Sequence, residues 1–215
     1  MKVGTDGVLL GAWTECPGSG YILDIGCGSG LVALMLAQRS KAEIQAIDID
    51  EGAYRQAKFN FNHSPFSNRL SVFHSAIQDF QTNLRFDLII SNPPFFSKSL
   101  KSPDNQRTAA RHNDSLSLEE LFFFARKLLT PQGRFCLIIP AKQSTITDST
   151  ANTFGFYPIR KTWVLPTPGS QAKRILLEYA LEQKAFSENQ ITIEIARHHY
   201  SDEFIQLTKE YYLKH

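Results

Sequence analysis

The chain is poor in cysteine: Cys16, Cys27 and Cys136 are an odd set of three without any C-x-x-C spacing. Such a set builds neither a disulfide framework nor a zinc site and points to a reducing, cytoplasmic setting. Long apolar runs are missing as well. The longest, residues 31–37 and 135–141, fall well short of the roughly 18–20 residues that span a bilayer, so no membrane span is expected. Met1-Lys2-Val3-Gly4 shows no basic stretch leading into an apolar one, so no secretory leader is visible. Repeats, low-complexity tracts and interdomain linkers are also lacking.

What remains is the make-up of a globular chain. Apolar residues are 42% and charged residues 20% of the total, which excludes disordered, collagen-like and coiled-coil classes. Sixteen Phe supply bulk for a core, and 215 residues fit one domain over the whole of 1–215. The net charge is only +2, but between Lys98 and Arg174 twelve Lys/Arg face five Asp/Glu, a local +7 that leaves −5 elsewhere. One reading is an anionic macromolecular partner on the basic side; the other is ordinary solvated faces.

Short apolar runs alternate with helical stretches. Strands are predicted over residues 21–25, 44–49, 70–74, 86–90, 135–139, 161–165 and 175–180, and helices over 31–37, 53–61 and 118–129. Thr130-Pro131-Gln132-Gly133 closes the last helix. This order implies an α/β fold with a mostly parallel sheet, helices on both faces and a C-terminal antiparallel hairpin.

Three motifs carry chemistry. In Asp24-Ile25-Gly26-Cys27-Gly28-Ser29-Gly30-Leu31, glycines between a strand and a helix let the backbone approach a ligand. Leu31 breaks the G-x-G-x-x-G pattern, which argues against a dinucleotide, and no P-loop is present. Asp48 stands 22 residues after Gly26, the spacing at which a carboxylate meets a ribose hydroxyl pair. Asp50 is the alternative ligand, but it reads better as the cap of the following helix. The third motif is Ser91-Asn92-Pro93-Pro94-Phe95, a proline-stiffened turn at the end of a strand. Asn92 offers a side-chain carbonyl and Pro93 a main-chain carbonyl to one NH₂ group, and Phe95 offers a flat face. No metal site is expected, because His198-His199 and Cys27 lack a third ligand at a sensible spacing, and Cys27 reads as packing.

These residues resemble the S-adenosylmethionine-dependent methyltransferases with a seven-stranded Rossmann-like sheet and an N-P-P-[YF] motif. Lys2-Val3-Gly4-Thr5-Asp6-Gly7 through Trp13, and the tail from Tyr200-Ser201-Asp202 to Leu213, are similar to the bacterial tRNA1(Val) adenine N6-methyltransferases. The resemblance implies methylation of the adenine beside the anticodon of one valine tRNA, with a monomeric enzyme as the expected form. It implies cofactor contacts from Thr5, Asp24, Gly26, Cys27, Gly28, Gly30, Asp48, Ile49, Ile77 and Asn92. Asp6 and Lys2 are further candidates at the methionine end. Asn92, Pro93, Pro94 and Phe95 are the expected catalytic set. Lys98, Lys101, Arg107, Arg111, His112, Lys173 and Arg174 are nominated for RNA. Two departures stand out. The chain starts on the K-V-G-T-D-G motif, as if a short preceding segment were lacking, and Ala76 stands where the family tends to have an Asp for the cofactor's adenine. Other NH₂ acceptors (ribosomal RNA, a release-factor glutamine, DNA adenine) and a non-catalytic RNA-binding scaffold are the competing readings.

Overall fold

Buried apolar runs and capped helical stretches assemble into an eight-stranded sheet with helices on both faces, in a computed structural model that describes residues 4–93 and 116–212. The first half runs α1 (Thr5–Trp13), β1 (Tyr21–Ile25), α2 (Leu31–Arg39), β2 (Glu43–Asp48), α3 (Glu51–Asn62), β3 (Leu70–His74) and β4 (Phe86–Ser91). The second runs α4 (Leu118–Leu128), β5 (Leu129–Pro140), α5 (Ser144–Thr153), β6 (Tyr157–Leu165), β7 (Arg174–Ala180) and β8 (Ser187–Thr192). A small hairpin of β9 (Glu194–Ala196) and β10 (His199–Tyr200) and a last helix, α6 (Asp202–Thr208), complete it.

Strand order is β3-β2-β1-β4-β5-β7-β6-β8. The strands from β3 to β5 are parallel neighbours, and β7 is antiparallel to both β5 and β6. All seven expected strands are present, with β6 and β7 as the antiparallel pair. The eighth, β8, adds to the edge parallel to β6. Its Ser187-Glu188-Asn189-Gln190 stretch is exposed and polar, so no apolar pattern announces it.

Side chains alternate across the sheet, as strand geometry dictates. Ile22, Leu88, Ile90 and Ile138 pack with residues of α1, α2, α3 and α6 on one face. Leu23, Ile89, Phe135, Leu137 and Leu177 pack with residues of α4 and α5 on the other. Helix α1 is buried from Gly7 to Trp13 and so shows no polar stripe, while α5 holds four threonines that tertiary packing keeps helical. Asp50 starts α3 as expected, its side chain accepting from the Ala53 N–H at 2.7 Å. The Pro/Gly stop needs one correction. Helix α4 ends at Leu128, but strand pairing resumes at once, Leu129 opposite Phe86 and Arg134 opposite Leu88. Residues 130–133 loop out between those two pairs as a wide bulge.

Candidate active site

Parallel strands deliver their carboxyl ends to one edge, and the register fixes what meets there. Ile25 pairs with Ser91 on one side and Ile47 on the other, and Asp48 pairs with His74. Asn92, the glycine loop, Asp48 and the Ser75-Ala76-Ile77 segment therefore line up along neighbouring strands, at the edge where open α/β sheets carry ligands.

Gly26, Gly28 and Gly30 all have positive φ (71°, 57° and 76°), a region that side chains with a Cβ rarely enter. The Gly26 and Cys27 N–H groups both donate to the Ile47 carbonyl, at 2.9 and 3.1 Å. Asn60, which the sequence pattern does not single out, donates from its side chain to the Ser29 carbonyl at 2.8 Å. A Cβ on Gly30 would lie 2.4 Å from Phe61 Cε1, whereas a Cβ on Gly26 would meet open space. The loop is thus packed tightly behind Gly30 and open in front of Gly26.

Asp24 is 2% exposed, and its Oδ2 has no hydrogen-bond partner among the described residues. Burial pushes its carboxyl up to about 7, with the nearby Asp48 charge adding and a bond from the Ala33 backbone opposing. Asp48 accepts from the Gly28 N–H at 2.8 Å and from the Asp50 N–H at 2.9 Å, so this carboxylate also orders the glycine loop. Cys27 is 7% exposed, and burial raises its thiol far above the usual range, which keeps it neutral. Ile49, next to Asp48, is 52% exposed, an apolar side chain offered outward at the ligand edge. Ile77 is 3% exposed and sits in the core beside α4, so its side chain gives a ligand little surface. Asn92 is half-buried and Pro93 buried, and the preceding Ser91 hydroxyl donates to the Ile25 carbonyl at 2.8 Å.

Thr5 and Asp6 begin α1 beside the β6–β7 turn, where Asp6 pairs with Arg174 at 2.8 Å. Arg174 is therefore held by a carboxylate, while Lys173 is exposed at the same edge. Lys2, Pro94, Phe95, Lys98, Lys101, Arg107, Arg111 and His112 lie outside the described residues. Among the described residues no cluster of three His, Cys, Asp or Glu is placed to hold a metal, and no helix is long and apolar enough to cross a membrane.

Residues 6–159 match the model of the methyltransferase small domain. The chain is 48% identical over 220 aligned positions to a tRNA1(Val) (adenine(37)-N6)-methyltransferase of Bacteroides fragilis, covering 100% of this chain and 92% of that protein. It is 46% identical to the protein of the same name from Flavobacterium johnsoniae, covering 100% and 93%. Among solved structures, a predicted O-methyltransferase from Agrobacterium tumefaciens superposes with a TM-score of 0.74 at 19% identity, covering 95% of this chain and 96% of that one. The glycopeptide N-methyltransferase MtfA complexed with S-adenosyl-L-methionine gives 0.59 at 13% identity, covering 85% and 90%. With the glycine loop, the Asp48 carboxylate and Asn92 on one sheet edge, and with relatives of this closeness along its full length, the chain belongs to the bacterial tRNA1(Val) adenine N6-methyltransferase family.

Proposed function

We propose that the protein transfers a methyl group from S-adenosylmethionine to N6 of an adenine in tRNA, the adenine beside the anticodon of a valine tRNA. The observation that carries this reading is the adjacency of the glycine loop and Asn92 at the ends of paired strands β1 and β4, in a chain 48% identical to an enzyme of that name. The reading puts the protein in the cytoplasm, with tRNA.

The site fits the cofactor. A buried carboxylate oxygen on Asp24 without a partner among the described residues suits a cationic ammonium or sulfonium group. The open space in front of Gly26 admits a ligand to the backbone, Asp48 suits a ribose hydroxyl pair, and exposed Ile49 suits the flat adenine. Ala76 leaves main-chain groups and apolar contact to hold that ring. When bound, S-adenosylmethionine supplies an electrophilic methyl group on a sulfonium, a leaving group that asks for no metal.

The acceptor is the difficult partner, because the lone pair of adenine N6 is delocalised into the ring. Asn92, through its side-chain oxygen, and Pro93, through its main-chain carbonyl, accept the two N6 hydrogens. That pulls the nitrogen toward tetrahedral geometry and aims its lone pair at the methyl group, a catalysis of positioning and electrostatics. An amide is no general base, so the surplus proton leaves to water. The adenine leaves its stack to reach the pocket, and Phe95 covers its face, where stacking contributes roughly 1–3 kcal/mol.

The test is methyl transfer from labelled S-adenosylmethionine to unmodified tRNA, followed by digestion and nucleoside mass spectrometry. N6-methyladenosine in the anticodon-loop fragment is the expected result. Incorporation into ribosomal RNA or a release factor instead would keep the chemistry and replace the substrate. Cofactor binding without transfer to any acceptor would favour the scaffold.

A further inference from the structure

The sheet edge that carries Asn92 continues past β5 into three turns that the cofactor chemistry does not use. Strands β6 and β8 run in the same direction as β5, so their carboxyl ends reach that same edge. Backbone hydrogen bonds join the turns side by side. The Ala141 N–H donates to the Lys173 carbonyl at 3.1 Å, linking the end of β5 to the β6–β7 turn. The Ile193 and Glu194 N–H groups donate to the Leu165 and Pro166 carbonyls at 2.8 and 2.9 Å, linking that turn to the foot of the β9–β10 hairpin.

The charges on these turns are of one sign. Residues 141–147 bring exposed Lys142, residues 166–173 bring exposed Lys173, and the hairpin tip over 195–199 brings exposed Arg197, His198 and His199, without one Asp or Glu in any of the three stretches. The nearest carboxylates are otherwise engaged or displaced. Asp148, directly after the first stretch, is held by Lys161 and the Tyr179 hydroxyl, Asp6 pairs with Arg174, Glu194 is half-buried in β9, and Asp202 and Glu203 sit in the first turn of α6, where the helix N-terminus favours them. The opposite edge is mixed, with Glu182 and Lys184 two residues apart after β7.

We infer that Lys142, Lys173 and the Arg197-His198-His199 tip form a second nucleic-acid contact, one that holds the phosphate backbone of the tRNA stem while the target base enters the Asn92 pocket. The inference rests on the proposed tRNA reading. Strand β8 lies four steps from β4 in the sheet, about 19 Å at the usual spacing between strands. That is too far for the hairpin to touch the target base, and it suits a contact that sets orientation rather than sequence. Seryl, threonyl and glutaminyl side chains in the same turns (Ser170, Thr167, Gln143, Gln171) are of the kinds that bond phosphate oxygens.

The experiment is filter binding of unmodified tRNA at several salt concentrations, with S-adenosylmethionine affinity measured in parallel. Lys142→Glu with Arg197→Glu is expected to weaken tRNA binding by an order of magnitude or more. It should also lower the slope of log affinity against log salt by about 0.7–0.9 for each lost phosphate contact. The neutral pair Lys142→Gln with Arg197→Gln should give the same slope change with a smaller loss of affinity, and cofactor affinity should stay at the wild-type value. Lys184→Glu, one such charge reversal at the opposite edge, should bind tRNA as the wild type does. The inference is overturned if the double variants bind as the wild type does, or if Lys184→Glu loses as much. A wild-type protein that binds and methylates tRNA beside such unaffected variants would leave the proposed function standing. A wild-type protein that does neither would overturn both.

Discussion

In the proposed reaction, Asp24 and Asn92 divide the work at the level of single residues. Asp24 is buried with its carboxyl raised to about 7, so the folded, ligand-free protein holds that proton more tightly than the unfolded chain does. Stability contributed by the neutral form is present below the ordinary carboxylate range and is lost as pH rises toward the folded value, between about pH 4 and pH 7. Asp24→Asn should flatten that part of a melting-temperature profile taken without ligand. It should also weaken S-adenosylmethionine, because a neutral amide does not balance a cation. Asn92→Ala makes the opposite division. Turnover should fall by about 10²–10³ or more, while cofactor affinity measured by calorimetry stays within a few-fold of wild type. A collapse of cofactor affinity in this variant would recast Asn92 as chiefly a cofactor residue. Asn92 draws attention by its place after an apolar run, and Asp24 through the family resemblance. Asn60, which holds the Ser29 carbonyl from α3, does not. Its importance comes from a neighbour 31 residues away, and no local pattern marks it.

The glycine loop shows the same logic one level up, at the junction of β1 and α2. Three glycines share positive φ, yet the surroundings of Gly26 and Gly30 differ. A methyl group on Gly30 would meet both the left-handed backbone penalty and the ring of Phe61 at 2.4 Å. Gly30→Ala is therefore expected to destabilise by about 2–4 kcal/mol, read from the urea midpoint. Gly26 has the backbone penalty alone, about 1–2 kcal/mol, but its Cβ would occupy the open space in front of the loop. Gly26→Ala should lose mainly S-adenosylmethionine affinity, and a mainly structural defect would mean that this space is not the cofactor's. Among the elements, the strands of the buried sheet centre declared themselves as unbroken apolar runs, because both of their faces are covered. Among those that stayed hidden are β8, polar because it is an edge, α1, apolar all round because it is enclosed by α2, the sheet and α6, and α5, α6 and the β9–β10 hairpin, which are short or polar and carry no periodic apolar signal.

At the scale of the molecule, the edge opposite the site is clamped by a charge network. Glu178, 3% exposed, bonds Arg134 at 2.5 Å and Arg160 at 2.8 Å, and the Arg160 guanidinium lies 3.8 Å from the Trp13 ring centroid. Residues from α1, β5, β6 and β7 meet there. Removing one partner of a fully buried pair costs about 3–5 kcal/mol. Here both arginines keep about a fifth of their surface in water (21% and 19%) and have Glu15 nearby, so Glu178→Ala should cost nearer 2 kcal/mol. Chemical denaturation measures that loss, and the cofactor affinity of the folded variant should be unchanged, since the network lies at the far end of the strands. The sequence by itself determined the layer order, the strand-to-glycine-to-helix junction and the places of Asp48 and Asn92 at the ends of strands, because strand and helix periods and motif spacing are local properties of a chain. Only the tertiary structure decided that Asp24 is buried with an oxygen unpaired among the described residues, that Arg174 is held by Asp6 across 168 residues, and that three cationic turns share one edge. Each of those depends on distant segments meeting in a particular register, and burial and charge pairing exist only once they have met.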